Sequence, residues 1–319
     1  MLTNGSRSEF ISEETRLKVR DAAAQLGYTP NPLARALKGG RSNLIGLMLR
    51  EIADPFFAQL IQKISDVAQN SDYQIVLGYS RGSSDGVLKM SSILDTRYVD
   101  GVIVLGDLND DERTLAAILE QNPAVIALCR GSSPRPVFTV NSNNTAGIEA
   151  LFEHLFGLGH RRIAFIEGDW MGDITQRRIA YEERMSTRGL PIHDGWVQKV
   201  PNNFMGGYQG LQNLLLLAEI PTAIMASDDT IAIGAIKALT DAELHTPDTM
   251  SVTGYDDIEL ASFISPSLTT VRQPIDRMAS QAVEALISLI TLPKLPLSDT
   301  ILRVQPKLVI RKSTAAPPT

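Results

Sequence analysis

Short, continuous apolar runs recur along this chain, each followed by a stretch of helical periodicity, and that rhythm restricts the fold more than any other feature. The first four are LIGLML (44–49), YQIVLGY (73–79), GVIVLG (101–106) and AVIALC (124–129), with helix-like segments at 55–70, 85–97 and 111–121 between them. A strand that is apolar at every position must be covered on both faces, and the intervening helices supply the cover. The pattern predicts βαβ units around a parallel sheet. The rhythm then restarts with helix 144–158, RIAFIEG (162–168), helix 175–188, a strand near 195–200 and helix 206–217. TAIMAS (222–227), helix 229–241 and SVTGY (251–255) follow, then LTTV (268–271), a long helix at 275–290 and strands near 301–305 and 307–310. The tail TAAPPT is expected to be loose. Two α/β lobes of one design make a bilobed receptor. Ligands of open parallel sheets bind beyond the carboxyl ends of the strands, so strand-end residues should line the cleft between the lobes.

The first 43 residues have a different texture. Ser12 opens S-E-E-T, a helix start, and Leu17, Val19, Ala22, Ala23 and Leu26 carry the apolar positions up to Gly27. One amphipathic helix cannot bury its own face, so this piece needs neighbours. Next comes YTPNPLARALKGGR (28–41), in which Asn31 suits an N-cap, Pro32 the first turn and Gly39–Gly40 a stop. The two turns between them, Leu33 to Lys38, are marginal as an isolated helix. Leu33 and Leu37 share a face, and Arg35, Lys38 and Arg41 add positive charge without a nearby acid. The stretch is either an ordinary linker or a helix that orders only against a polyanion. Residues 1–43 hold seven basic and four acidic side chains, net +3, which leaves −9 for the rest of a chain whose total is −6. A basic head on an acidic body points toward nucleic acid.

Several function classes drop out. A single cysteine, Cys129, excludes an internal disulfide and a cysteine-rich metal site, and the four histidines (154, 160, 193 and 245) have no metal-ligand spacing. No cofactor is expected. No apolar run approaches the ~20 residues that span a bilayer, and the N-terminus MLTNGSRSEF is not a secretion signal, so a cytoplasmic location is expected. GxSxG, GxxxxGKS and strand-borne GxGxxG motifs are missing. Paired carboxylates leave glycoside hydrolysis open as a chemistry, yet nothing requires catalysis.

The candidate ligand residues follow strand ends. Phe56 and Phe57 in D-P-F-F (54–57) are either a wall for a ligand ring or core filler. In D-W-M-G-D-I-T-Q-R-R (169–178), Trp170 suits stacking and Arg178 suits a bidentate fork, unless Arg177 and Arg178 are a solvated pair. Asp228–Asp229 and Asp256–Asp257 close two strands of one lobe; such carboxylates accept from hydroxyl-rich ligands or cap the helices they precede.

The segments I-S-E-E-T-R (11–16), A-A-A-Q-L-G-Y-T-P-N (22–31), L-A-R-A-L-K (33–38) and N-L-I-G-L (43–47) resemble the LacI/GalR (lactose-repressor) family of bacterial transcription regulators. So do V-D-G-V-I-V (99–104), G-L-G-H-R-R-I-A-F-I (157–166), A-I-G-A (232–235), S-V-T-G-Y-D-D (251–257) and P-S-L-T-T-V-R-Q-P (266–274), in order from end to end. The resemblance implies an effector-responsive repressor: a homodimer, not an enzyme, with a remnant head at 1–28 and a hinge helix at 29–42. It further implies two Rossmann-like lobes of the type I periplasmic-binding-protein kind, at 43–140 plus about 271–295 and at 141–270 plus about 296–311, with a tail at 312–319. Its hinge residues for operator DNA would be Asn31, Leu33, Ala34, Leu37 and Lys38, with Leu37 wedged into a base step of the minor groove. Met1–Asn4 lines up with the end of the family's recognition helix, so the resemblance leaves a miscalled start, the favoured expectation, or a truncated product. Arg178 would be the cleft arginine, Asp256 the cleft aspartate, and Asp228 a contact for sugar hydroxyls. Phe56 and Phe57 would touch the effector from the first lobe. Asn202 stands where some members have a stacking aromatic, and Ser142 where an Asp is frequent. The implied effector is a sugar or polyol and not a purine. A sugar-binding receptor of a transport system shares the two-lobe design.

Overall fold

Strand β1 (Leu44–Leu49) runs inside a six-stranded sheet, between β2 (Gln74–Tyr79) and β3 (Gly101–Leu105), which is why its sequence is apolar throughout. The computed structural model describes residues 12–26, 41–49, 51–79, 98–107, 111–131, 137–170, 172–292 and 301–318. The expected helix at 85–97 and all five hinge residues (Asn31, Leu33, Ala34, Leu37, Lys38) lie outside them. Helix α1 (Glu13–Gln25) stands where the S-E-E-T start puts it.

The first sheet continues through β4 (Val125–Leu128) and β5 (Thr139–Ser142) and ends on β11 (Ile301–Val304), all parallel. Helices α2 (Pro55–Asn70) and α3 (Asp111–Gln121) connect its strands, and α9 (Ile275–Thr291) packs on it and on α2. Gly101 makes that approach possible: a Cβ there would sit 2.8 Å from Leu286 Cδ1.

The second lobe begins with α4 (Asn144–Gly157) and alternates through β6 (Ile163–Gly168), α5 (Asp173–Thr187), β7 (Val197–Val200) and α6 (Phe204–Leu215). It continues with β8 (Ala223–Ala226), α7 (Asp229–Asp241), β9 (Ser251–Thr253) and the short α8 (Glu259–Phe263), in the parallel order β7-β6-β8-β9. Strand β10 (Thr270–Arg272) pairs antiparallel with β12 (Lys307–Val309). The chain crosses between lobes after β5, between β10 and α9, and between β11 and β12.

Three expectations need correction. Residues 301–304 belong to the first lobe's sheet and not the second's, because β11 pairs with β5 from Ile301↔Thr139 to Val304↔Ser142. That pairing also reveals β5, whose polar TVNS reads poorly as a strand. Helix α5 starts at Asp173, two residues early. The terminal segment is not loose: Ser313 is fully buried, with Oγ donating to Val252 O (2.6 Å) and accepting from Thr269 N (2.8 Å). Ala315 N donates to Ser251 Oγ, and Ala315 O lies 2.9 Å from His160 Nε2.

His160 is the anchor of this tail. Its ring is fully buried, with Nδ1 2.9 Å from Thr222 Oγ1. Burial pushes its pKa down, so the neutral ring is the state that folds. His160→Ala should cost about 1–3 kcal/mol, since it strands buried polar partners. Urea unfolding at pH 8 measures this; an unchanged midpoint would mean that the tail does not depend on the ring.

Candidate functional site

The carboxyl ends of both parallel sheets face one another, and a cavity of about 570 Å³, its open mouth included, lies between them. The first lobe supplies Glu51 and Asp54 after β1, Gly106 and Asp107 after β3, and Cys129 after β4. The second supplies Trp170 and Asp173 after β6, Asn202 after β7, Asp228 after β8 and Asp256 after β9. Strand ends end up here because every βα turn of a parallel sheet opens on the same edge.

Asp54 shapes the first wall. Its Oδ1 accepts from Phe56 N (2.8 Å) and, at 3.4 Å, Phe57 N, capping α2 and fixing where both rings go. Phe56 is buried in the hydrophobic core and also borders the cavity. Phe57 reaches across to Trp170 of the other lobe, ring centroids 6.0 Å apart and 28° between planes. With Phe56, Leu105 and Ile174 these two rings form the apolar part of the lining.

The cleft arginine is Arg177 and not Arg178. On α5 the buried positions are Ile174, Arg177, Ala180, Tyr181 and Met185, one helical face. Arg178 turns outward, its Nε 3.2 Å from Glu167 Oε1 and its Nη1 donating to Glu182 at 2.6 Å. The signal was in the sequence: Tyr181, four residues on, belongs to the apolar face with Arg177, while Glu182 stands four residues from Arg178 as an ion-pair partner. Arg177 is 3% exposed. Its Nη1 donates to Ser227 O (2.6 Å), its Nε to Asn144 Oδ1 (3.0 Å), and its Nη2 lies 3.3 Å from Asp256 Oδ1. The guanidinium rests over the Tyr255 ring at 3.8 Å.

Around this one cation stand buried acids. Asp228 caps α7 through Ile231 N (2.8 Å) and lines the cavity as well, so capping and cleft roles fall on one residue. Its neighbour Asp229 is structural, accepting from Ile258 N and Thr270 Oγ1. Asp256, at φ 110°, accepts from Gln273 Nε2 (2.6 Å), while Asp257 pairs with Arg272 and Arg311. Burial pushes Asp256 well above the ordinary carboxylate range and raises Asp228 too. Asp54 and Asp173 are each pushed up to about 6, first by burial, then for Asp54 by the charge of Asp228. Asp54 and Asp173 were not singled out in the sequence because an acid opening a helix reads as a cap.

Four of the buried acceptor atoms in the cavity lining make no well-aligned hydrogen bond among the described residues, namely both carboxylate oxygens of Asp173, Asp228 Oδ2 and Asn202 Oδ1, although the Asn144 and Asn202 amides stand near Asp173 and Asp228. All three residues line the cavity. Of the expected residues, Phe56, Phe57, Asn202, Asp228 and Asp256 are thus brought together and Arg178 is not. Ser142 is buried outside the lining, its Oγ 3.4 Å from the Tyr255 hydroxyl. No group of His, Cys, Asp and Glu among the described residues is arranged to hold a metal.

Fold and cleft define a two-lobed ligand receptor of the periplasmic-binding-protein kind, and residues 152–314 match the family described as a periplasmic binding protein-like domain. The sequence is 31% identical over 312 residues to the ribose operon repressor of Haemophilus influenzae, covering 97% of this chain and 92% of that one. Among solved structures, the Lac repressor dimer bound to operator and the anti-inducer ONPF is similar at a TM-score of 0.84 and 26% identity, covering 96% and 92%. The complex of the transcriptional regulator CelR with cellobiose is similar at 0.78 and 27%, covering 98% and 94%. The chain belongs to the LacI family of transcriptional regulators, and it is a regulator and not an enzyme.

Two outcomes follow for the unliganded protein. Arg177→Ala leaves its buried acids uncompensated and should cost about 3–5 kcal/mol in denaturant unfolding, more than Arg178→Ala, whose side chain is partly exposed. Asp173 has its folded pKa near 6, above the 3.8 of the unfolded chain, so its burial penalty is full above pH 6 and fades as pH falls toward 3.8. Asp173→Asn should therefore stabilise the protein by on the order of 1–3 kcal/mol at pH 8 and not at pH 4. Equal effects at both pH values would contradict the assignment.

Proposed function

We propose that this protein is an effector-responsive repressor whose interlobe cleft takes a small sugar or polyol and so sets its grip on operator DNA. The observation that carries the reading is a set of four buried acceptors on Asp173, Asn202 and Asp228 without a well-aligned donor among the described residues, in a cavity also lined by the Phe57 and Trp170 rings. Buried acceptors left unpaired are costly, and hydroxyl groups are the donors that relieve them. Aromatic faces suit the apolar C–H side of a sugar ring, with Trp170 replacing the platform that Asn202 does not provide. CelR holds cellobiose in a related structure, and the H. influenzae relative is a ribose operon repressor.

The switch works through lobe closure. The ligand touches both lobes, so it binds the closed arrangement better and shifts the population toward it. Segment 29–42 enters the first lobe just ahead of β1, where the Asp100 carboxylate accepts from Ser42 N (2.8 Å) and Asn43 N (3.0 Å). That clamp makes the hinge follow the first lobe. In a homodimer, two such hinges meet DNA through Asn31, Leu33, Ala34 and Lys38, with Leu37 as the minor-groove wedge beneath a helix-turn-helix head. The protein acts in the cytoplasm without cofactor or metal; no helix among the described residues is long and apolar enough to cross a membrane.

Thermal unfolding against sugars, polyols and nucleosides tests the reading. A ligand at 100 times its dissociation constant adds roughly 2.7 kcal/mol, and the expected hit is a sugar or polyol. A nucleoside hit with silent sugars would overturn it. In a chain carrying a complete head, Leu37→Ala should weaken operator binding roughly tenfold or more while sparing effector affinity; unchanged operator binding would remove the wedge.

A further inference from the structure

The cleft is far more acidic than a neutral ligand needs. Among the described residues that line it are six carboxylates, those of Glu51, Asp54, Asp107, Asp173, Asp228 and Asp256, and one basic side chain, Arg177. Arg177 is already committed, to Asp256, Asn144 and the Ser227 carbonyl. Buried Arg130, 3.6 Å from Asp107 Oδ1, answers one more. Among the described residues, the remaining acids outnumber the positive charges beside them.

Their placement matters as much as their number. Asp54 belongs to the first lobe and Asp228 to the second, and each caps a helix that opens onto the cleft. Asp107 of the first lobe lies against Gly172, the residue before Asp173 of the second. Each lobe thus sets a carboxylate against one of the other, so closing the cleft brings like charges together out of water. Burial and the Asp228 charge both hold the Asp54 carboxyl up at about 6, the mark of that crowding. A neutral hydroxyl satisfies an acceptor but leaves the charge. A protonated amine does both, donating hydrogen bonds and cancelling charge between the lobes.

Building on the carbohydrate reading above, we infer that the effector is a cationic polyhydroxylated molecule, an amino sugar or amino polyol, whose ammonium group sits between the carboxylates that the two lobes present. Sugar acids and sugar phosphates are rejected, because each would add negative charge to a cleft with none to spare.

Calorimetric titration at pH 7 with matched pairs tests this: glucosamine against glucose, galactosamine against galactose, and glucamine against sorbitol, with glucuronate as the acidic control. In at least one pair the amine should bind roughly tenfold or more tighter, and glucuronate should bind weakest. Asp228→Asn and Asp54→Asn keep a capping side chain and should each shrink the amine's advantage at least about threefold. A neutral sugar that equals or beats its amine in every pair would overturn the inference and leave the carbohydrate reading standing, as would tight binding of glucuronate. If no member of the panel binds, both fall together.

Discussion

A single guanidinium holds the second half of the cleft in shape. Arg177 is buried among Asn144 at the start of α4, the Ser227 carbonyl after β8, and Asp256 and Tyr255 after β9, so it ties three separate segments to α5. An arginine so placed is costly unless its donors are paired, and here the amide, the carbonyl and the carboxylate engage Nε, Nη1 and Nη2 while the Tyr255 ring covers its face. It also sets the electrostatics: acids drawn together around one cation are tolerable only because that cation is there. Through Asp256, Arg177 reaches Gln273, which stands in a crossover between the lobes. The ligand cavity and the joint on which the lobes turn thus share one polar network.

That arrangement suits a switch. Three crossovers connect the lobes, and the acids of each lobe oppose one another at the closing face. In the proposed switch, charge favours an open cleft and a ligand that supplies donors favours a closed one. The Asp100 carboxylate holds the backbone of Ser42 and Asn43 to the first lobe, immediately ahead of β1.

How legible this was depended on the physical origin of each feature. The parallel sheets were plain, because a strand buried on both faces must be apolar at each position, as β1 and β3 are. Strand β5 was hidden because TVNS is held by its neighbours on both sides and not by its own apolarity. The tail read as loose because Thr, Ala and Pro carry no packing signal; what docks it is hydrogen bonding of the Ala315 backbone to the side chains of Ser251 and His160, sixty or more residues away. Asp228 and Asp256 were legible as strand-end acids. Arg177 was missed by one position, although helical periodicity separates it from Arg178. Asp54 and Asp173 were illegible as cleft groups because each also opens a helix, and only the fold brings them to one cavity.

The most direct test is a crystal structure of the protein with its tightest-binding sugar or amino sugar. The account expects the ligand between the lobes, with donors within about 3.2 Å of Asp228 Oδ2 and of the Asp173 carboxylate, and its ring against Trp170 or Phe57. A ligand bound elsewhere, or one in the cleft that leaves those oxygens unpaired, would contradict it.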